Sequence, residues 1–564
     1  MEAYKDKNNS IDDRVEDLIQ RMTLDEKIAQ LTSIWSYEVF SNGNFSGEKA
    51  DKKIKNGIGQ ITRPGGATFL EPRDLGAFIN QFQEYLVKNT RLGIPAMIHE
   101  ECLCGYLTKN ATMFPEMIGL ASAWDEGLVE EVAGAIRDEL KTVNAHQVPI
   151  SLNSKEHRDI ALKAAEKSIV LLKNEDNLLP LSAEIKKIAV IGPTAADGRN
   201  QLGDYSYPAH MESLMDKKEE DHFGSPAPDF EESNFSVQSV VNVLEGINNH
   251  KPENLEVLYQ KGCSVIGDDA DIEAAVQTAS EADTVILCLG DKSGLIPNCT
   301  TGEARDSMTL ELTGRQLELA KAILKTGKPV ISVIISGRPY NLSIFEEGSK
   351  AILQAWLPGE EGGNAIAKAL FGKFNPSGKL PISFPRHVGQ IPVYYNHKAS
   401  GQRSHWFGDY VDGSPKPLYP FGYGLSYTTF DYSDLSIPKE IQSDMDEIDI
   451  SFSIKNTGNY DGEEIVQLYV NDPAASVTRP VKELKGFGKV SLKQGEQKKL
   501  HFKLPVELLA FFNNEMKLVV EPGLYHIMIG QSSENIVLEQ EITLKGKIKA
   551  IGKRNRYSSI LLDD

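Results

Sequence analysis

The spacing of apolar positions changes along the chain. Near the N-terminus Val15, Leu18, Ile19 and Met22 recur at the three-to-four-residue spacing of an amphipathic helix. Thr23 followed three positions later by Glu26 is a capping box. It predicts a second helix with Ile28 and Leu31 on its apolar side. Two short apolar runs follow, residues 57–62 and 94–99, then a helical pattern over 126–142 and an apolar stub at 146–150. Short apolar strands alternating with helices predict βα units around a parallel sheet.

From Asn153 onward the pattern sharpens. Ser154 is placed to cap a long helix carrying Ile160, Ala164, Ile169 and Val170. Residues 188–191, 284–290, 330–336 and 351–356 are continuous aliphatic runs, as strands covered on both faces are. Helices are predicted at 316–324 and 365–371. Together these predict a doubly wound α/β sandwich ending near Arg386. Residues 387–424, rich in Pro, Gly and Tyr, read as a connector. Beyond Asp431 the period drops to two. Residues 448–454 and 464–470 alternate, and turn signals at Asn456-Thr457-Gly458 and Pro522-Gly523 punctuate them, predicting a β-sandwich. The expected division is 1–152, 153–386, 387–430, 431–544 and a tail of 545–564.

Charge and composition narrow the class. The chain has 564 residues, with 60 Lys and Arg against 80 Asp and Glu, a formal charge of −20. So acidic a chain lacks the basic face that phosphate backbones require, which argues against a nucleic-acid partner. No apolar run approaches the roughly 18–20 residues of a membrane helix, and no membrane partner is expected. MEAYKDKNNS has no apolar h-region, so the expected location is cytoplasmic. The five cysteines, Cys102, Cys104, Cys263, Cys288 and Cys299, are scattered and odd in number, unlike a disulfide framework. Cys102-x-Cys104 lacks the second half of a zinc site, and no metal is expected. Residues 372–379 miss the phosphate-loop spacing, and no G-x-S-x-G elbow is present.

Two carboxylates carry candidate chemistry. Glu101 directly follows the run 94–99, and strand ends of parallel βα units gather ligand-binding groups. Glu303 lies on a long loop after 284–290, next to Arg305 and Asp306, which read as a structural ion pair. Trp356 and residues 358–363 read as a strand-to-helix turn. Asp204 and Tyr207 read as borders of the site, and Asp125 as a helix cap.

Long ordered motifs then converge on one family. RVEDLIQRMTLDEKIAQL, RLGIPAMIHEECLCG, FPEMIGLASAWD, KSIVLLKNEDNLLPL, TTGEARDSMTL, QAWLPGEEGGNAIAKALFGKFNPSGKLPISFPR, YPFGYGLSYTTF, NTGNYDGEEIVQLYV and RPVKELKGF appear in this order. The chain resembles glycoside hydrolase family 3, the β-glucosidase and β-xylosidase group. The resemblance implies a TIM-like barrel, an α/β sandwich and a fibronectin type III-like domain. It implies hydrolysis with retention of configuration on β-linked plant oligosaccharides or aryl β-glycosides, without a cofactor. Glu303 falls in the Gly-Glu element that carries the family's acid/base. Glu101 matches the acidic residue that holds the sugar in the −1 subsite. Residues 404–407 lean toward the xylosidase-type members.

The chain departs from the family in its barrel. About 150 residues precede the linker helix, where a (β/α)₈ barrel takes ~250. Residues 144–148 resemble the start of a third barrel strand, and 152–158 already resemble the barrel's end. The family's Arg-Trp-Gly-Arg element, its Lys-His pair and its Ser-Asp-Trp or Ser-Asp-Tyr nucleophile motif are absent from the sequence, and Cys104 replaces the usual histidine. The expectation is therefore a family 3 β-glycosidase of doubtful turnover. The alternative is a non-catalytic sugar-binding or structural remnant. Self-association is compatible with either.

Overall fold

The computed structural model describes residues 2–41, 43–144, 151–217, 228, 240–401 and 406–563. The run 146–150 lies outside these residues. The N-terminal helices form as patterned. Ile11–Arg21 is capped by the Ser10 side chain, and Leu24–Gln30 carries the complete Thr23–Glu26 capping box. Three short parallel strands follow: β1 (Ser33–Trp35), β2 (Gln60–Thr62) and β3 (Met97–His99). They pair in the order β1-β2-β3, with Ile34 opposite Ile61 and Ile61 opposite Ile98. Helices Pro72–Asn89 and Glu126–Asn144 pack beside them, and Phe78, Phe82 and Leu86 close the core over Ile61. Eight strands close a TIM barrel, so among the described residues this three-stranded sheet is an open arc. Ile28, Leu31 and Met97 are exposed, although their spacing marks them for burial.

The central sheet is six-stranded. Its strands are β4 (Val170–Asn174), β5 (Lys187–Ile191), β6 (Glu256–Gln260), β7 (Thr284–Gly290), β8 (Val330–Ile335) and β9 (Ala351–Gln354). Their order is β4-β9-β8-β7-β5-β6, parallel except for β4. Alternate residues feed opposite cores. Ala189, Ile191, Val285 and Leu287 face one helix layer, and Ile188, Val190, Ile286 and Cys288 face the other. That is why these strands read as unbroken aliphatic runs. Two strands differ from the sequence reading. The helix capped by Ser154 stops at Ser168, and Val170-Leu171-Leu172 turns into β4. The edge strand β6 (EVLYQ) is only partly buried, and its short mixed run lacks the unbroken aliphatic pattern of the central strands.

The connector is bound to the α/β unit. Phe384 bridges to Tyr419 and Leu171 to Leu425. The last unit stacks a four-stranded sheet on a five-stranded one. Ile448, Ile450, Phe452 and Ile454 of strand Glu447–Asn456 point into the core between the sheets. Residues 545–564 are not a mere tail. Ile560–Asp563 pairs antiparallel with Gln497–Pro505 and adds an edge strand.

Candidate active site

The three strands of the open arc each deliver a side chain at their C-terminal end. Trp35 closes β1, Arg63 directly follows β2, and Glu101 lies two residues beyond β3. The parallel register brings them level, and the Arg63 N–H donates to the His99 carbonyl at 2.6 Å. Arg63 adopts a left-handed φ of 54°, uncommon for a residue with a side chain. Its guanidinium forms an ion pair with the Glu101 carboxylate, both side chains being largely buried. It also stacks over the Trp35 ring at 4.5 Å and the Tyr205 ring at 5.5 Å.

Tyr205 belongs to the α/β unit, on the loop before helix Tyr207–Asp216. Its hydroxyl donates to the Glu303 carboxylate. Its neighbour Asp204 accepts the Glu303 backbone N–H at 2.7 Å. One short loop thus grips Glu303 by main chain and side chain. Burial and the Glu303 carboxylate push the Tyr205 phenol well above its ordinary range, so it acts as a donor. His210, one turn into the following helix, stacks on Trp35 at 5.8 Å and lies near-parallel to Tyr205 at 6.4 Å. Burial pushes its imidazole down to about 3, which keeps it neutral beside the Arg63 cation.

Two further carboxyls sit behind this cluster. Glu100 accepts the Gly65 N–H at 2.8 Å, and burial pushes it up to about 8. Burial and the nearby Asp204 push Glu116 up to about 7. Both hold protons near neutrality and are lodged in the wall of the site. The site's front is open: Glu303 is exposed to solvent.

Glu101 and Glu303 therefore meet in one cluster, bridged by Arg63 and Tyr205. Asp204 touches Glu303 as expected of a bordering residue. Tyr207 does not: its hydroxyl faces the Thr68 carbonyl at 3.3 Å. Arg305 donates to the carbonyls of Cys299 and Pro297, at 3.1 and 2.9 Å, rather than serving Asp306 as expected. Asp125 caps its helix through Leu128 N–H at 3.0 Å. Trp356 is buried in the turn before helix Gly362–Leu370 and packs on Phe384. Trp35, Arg63, Tyr205 and His210 escaped the sequence reading. The one local signal was Arg63-Pro64-Gly65-Gly66 directly after a predicted strand.

Fold and site together set a barrel-type sheet against the loops of an α/β sandwich, with the carboxylates of Glu101 and Glu303 in one cluster between them. The profile of the glycosyl hydrolase family 3 N-terminal domain matches residues 23–150, and that of its C-terminal domain matches residues 169–427. A fibronectin type III-like domain matches 464–533. The chain belongs to glycoside hydrolase family 3. It is 37% identical over 417 residues to a periplasmic β-glucosidase of Salmonella typhimurium, covering 69% of this chain and 50% of that protein. It is 39% identical over 391 residues to a β-xylosidase of Formosa agariphila, covering 68% and 50%. The chain thus spans about half the length of these curated relatives. Among solved structures, a β-glucosidase from Erythrobacter marinus superposes with a TM-score of 0.79 at 26% identity, over 96% of this chain and 100% of that one.

Proposed function

We propose that this chain works on β-glucosides or β-xylosides as a family 3 glycosidase, with Glu303 as acid/base and Glu101 as acceptor of sugar hydroxyls. The observation that carries this reading is the cluster itself. Glu101 on the barrel-type sheet and Glu303 on the sandwich loop are tied together through Arg63 and Tyr205. Relatives named β-glucosidase and β-xylosidase support the substrate class. A retaining enzyme needs a second carboxylate about 5–5.5 Å from the acid to form the glycosyl intermediate.

The missing Ser-Asp-Trp or Ser-Asp-Tyr motif favours a second reading, in which the chain binds sugar without turning it over. Nitrophenol release from aryl β-xyloside and β-glucoside, at high protein concentration and alongside Glu303→Gln, separates the two. Release abolished by Glu303→Gln establishes the first reading. Sugar binding by a folded chain without release establishes the second.

A further inference from the structure

The loop that presents Glu303 is held by a residue outside the sugar-binding cluster. Asp291 directly follows β7 and is fully buried. It accepts the Thr300 hydroxyl at 2.7 Å, the Gly337 N–H at 3.0 Å and the Tyr340 hydroxyl. The ends of β7 and β8 are thereby joined to the start of the Glu303 loop. Arg338, on the turn after β8, works from the other side. One terminal guanidinium nitrogen donates to the carbonyl of Thr300 at 3.0 Å and to that of Arg305 at 2.6 Å. These carbonyls flank Glu303, three residues before it and two after. The side chain of Arg305 turns back onto Cys299 and Pro297 and closes the loop on itself.

Between the two gripped carbonyls the backbone is unusual. Gly302 has φ 120°, and a Cβ there would come within 2.6 Å of the Gly294 carbonyl. Ala304 has φ 57°. Such conformations persist when their surroundings over-determine them. Glu303 sits between these two residues, with a turn that only glycine fits on one side and the strained Ala304 on the other.

We propose that Arg338 is the positioning residue of Glu303. Its double donation fixes the loop so that Tyr205 and Asp204 meet the Glu303 carboxylate and N–H. This rests on the acid/base reading of Glu303. Lysine at this position cannot reproduce the grip, because its ammonium lacks the planar guanidinium that aims both N–H bonds and the Nε–H that reaches the Thr301 hydroxyl at 3.4 Å.

The test compares the whole chain with Arg338→Lys and Arg338→Gln. Amide exchange is followed across 299–306, with 284–290 as internal reference, and unfolding midpoints are measured in parallel. The expected result is an unchanged midpoint for Arg338→Lys with exchange in 299–306 faster by about tenfold, the loss of one charge-assisted hydrogen bond. Where the wild-type chain releases nitrophenol, kcat falls with KM unchanged, since sugar contacts remain. Exchange in 299–306 that matches wild type in both variants overturns the proposal, whatever the turnover. Faster exchange with unaltered kcat in an active chain also overturns it. Faster exchange in a chain that never releases nitrophenol upholds the grip on Glu303, and it is the turnover reading that then fails.

Discussion

Tyr205 donates its hydroxyl to the carboxylate of Glu303, a residue 98 positions away and on a different loop. The same phenol ring rests on the Arg63 guanidinium, which pairs with Glu101. The Glu101 and Glu303 sides of the cluster are thus mechanically linked through one aromatic ring. Tyr205→Phe keeps the ring and removes the hydroxyl. A lost hydrogen bond to a charged group is worth about 1.5–3 kcal/mol, so aryl glycoside hydrolysis should fall roughly ten- to a hundredfold in kcat. A loss confined to KM would show that Tyr205 serves substrate binding and not Glu303.

Sugar binding can be read without turnover. Trp35 stacks on Arg63 and His210, so its fluorescence reports the cluster's state. Titration with xylose or glucose should change its emission, and Glu101→Gln should weaken binding by about tenfold or more, the worth of a charged acceptor. Equal affinities in the two proteins would remove Glu101 from the sugar site.

Glu100 gives the stability a pH signature. Its folded carboxyl titrates near 8 against an ordinary 4.5. Between those values the unfolded chain ionises first, so stability falls as pH rises through this window, by up to about 1.4 kcal/mol per pH unit. Glu116 and Glu360, each raised to about 7, act in the same direction below 7. His210 acts oppositely: neutral when folded down to about 3, it adds stability as pH rises to its ordinary 6.5. Of these four groups Glu100 is the one whose window extends from 7 to 8, while Asp291 and Glu464, also raised by burial, contribute equally to the two proteins compared. Glu100→Gln, which keeps an acceptor for the Gly65 N–H, should flatten the decline of the unfolding midpoint there. An unchanged slope would place the Glu100 titration elsewhere.

The open arc sets the order of local stability. Its strands are three residues long, and the last, β3, begins at exposed Met97, whereas β7 is buried at all seven positions. Short unpaired edges also invite pairing with another chain. Amides of β1 to β3 should exchange before those of β7 in native conditions. Equal protection in a monomer would mean that the arc is held as firmly as the sandwich.

The sequence made some of this legible and hid the rest for identifiable reasons. Thr284–Gly290 was read to the residue because burial on both faces leaves no polar position to blur the run. Helix Gln316–Leu324 was equally plain. β1 went unread because three residues show no period, and β4 because its aliphatic run joins smoothly to the preceding helix. In the candidate site, Glu101 and Glu303 stand in recognisable motifs. Arg63 and Tyr205 gain meaning only from each other, across 142 positions that no local pattern spans. Ile560–Asp563 stays hidden because four residues, three of them apolar, are too few to show a period.

One buried ion pair joins the α/β unit to the β-sandwich and can be tested alone. Lys379 donates to the Gly424 carbonyl at 2.8 Å and pairs with Glu464 at 3.4 Å. Glu464 also accepts the Tyr432 hydroxyl at 3.1 Å, and Trp124 donates its indole N–H to the Lys379 carbonyl at 3.0 Å. The two charged side chains are 6% and 3% exposed. Burial pushes Glu464 up while Lys379 pulls it down, so the lysine is what keeps an enclosed carboxylate tolerable. Lys379→Met leaves that carboxylate without its counter-charge, a change that costs about 3–5 kcal/mol in buried pairs. Adding Glu464→Gln removes the stranded charge and should restore much of the loss. Denaturant unfolding of the two single variants and the double measures the coupling. A double variant no more stable than Lys379→Met would show that the lysine acts through Gly424 and packing, and that the charge pair contributes nothing to the junction.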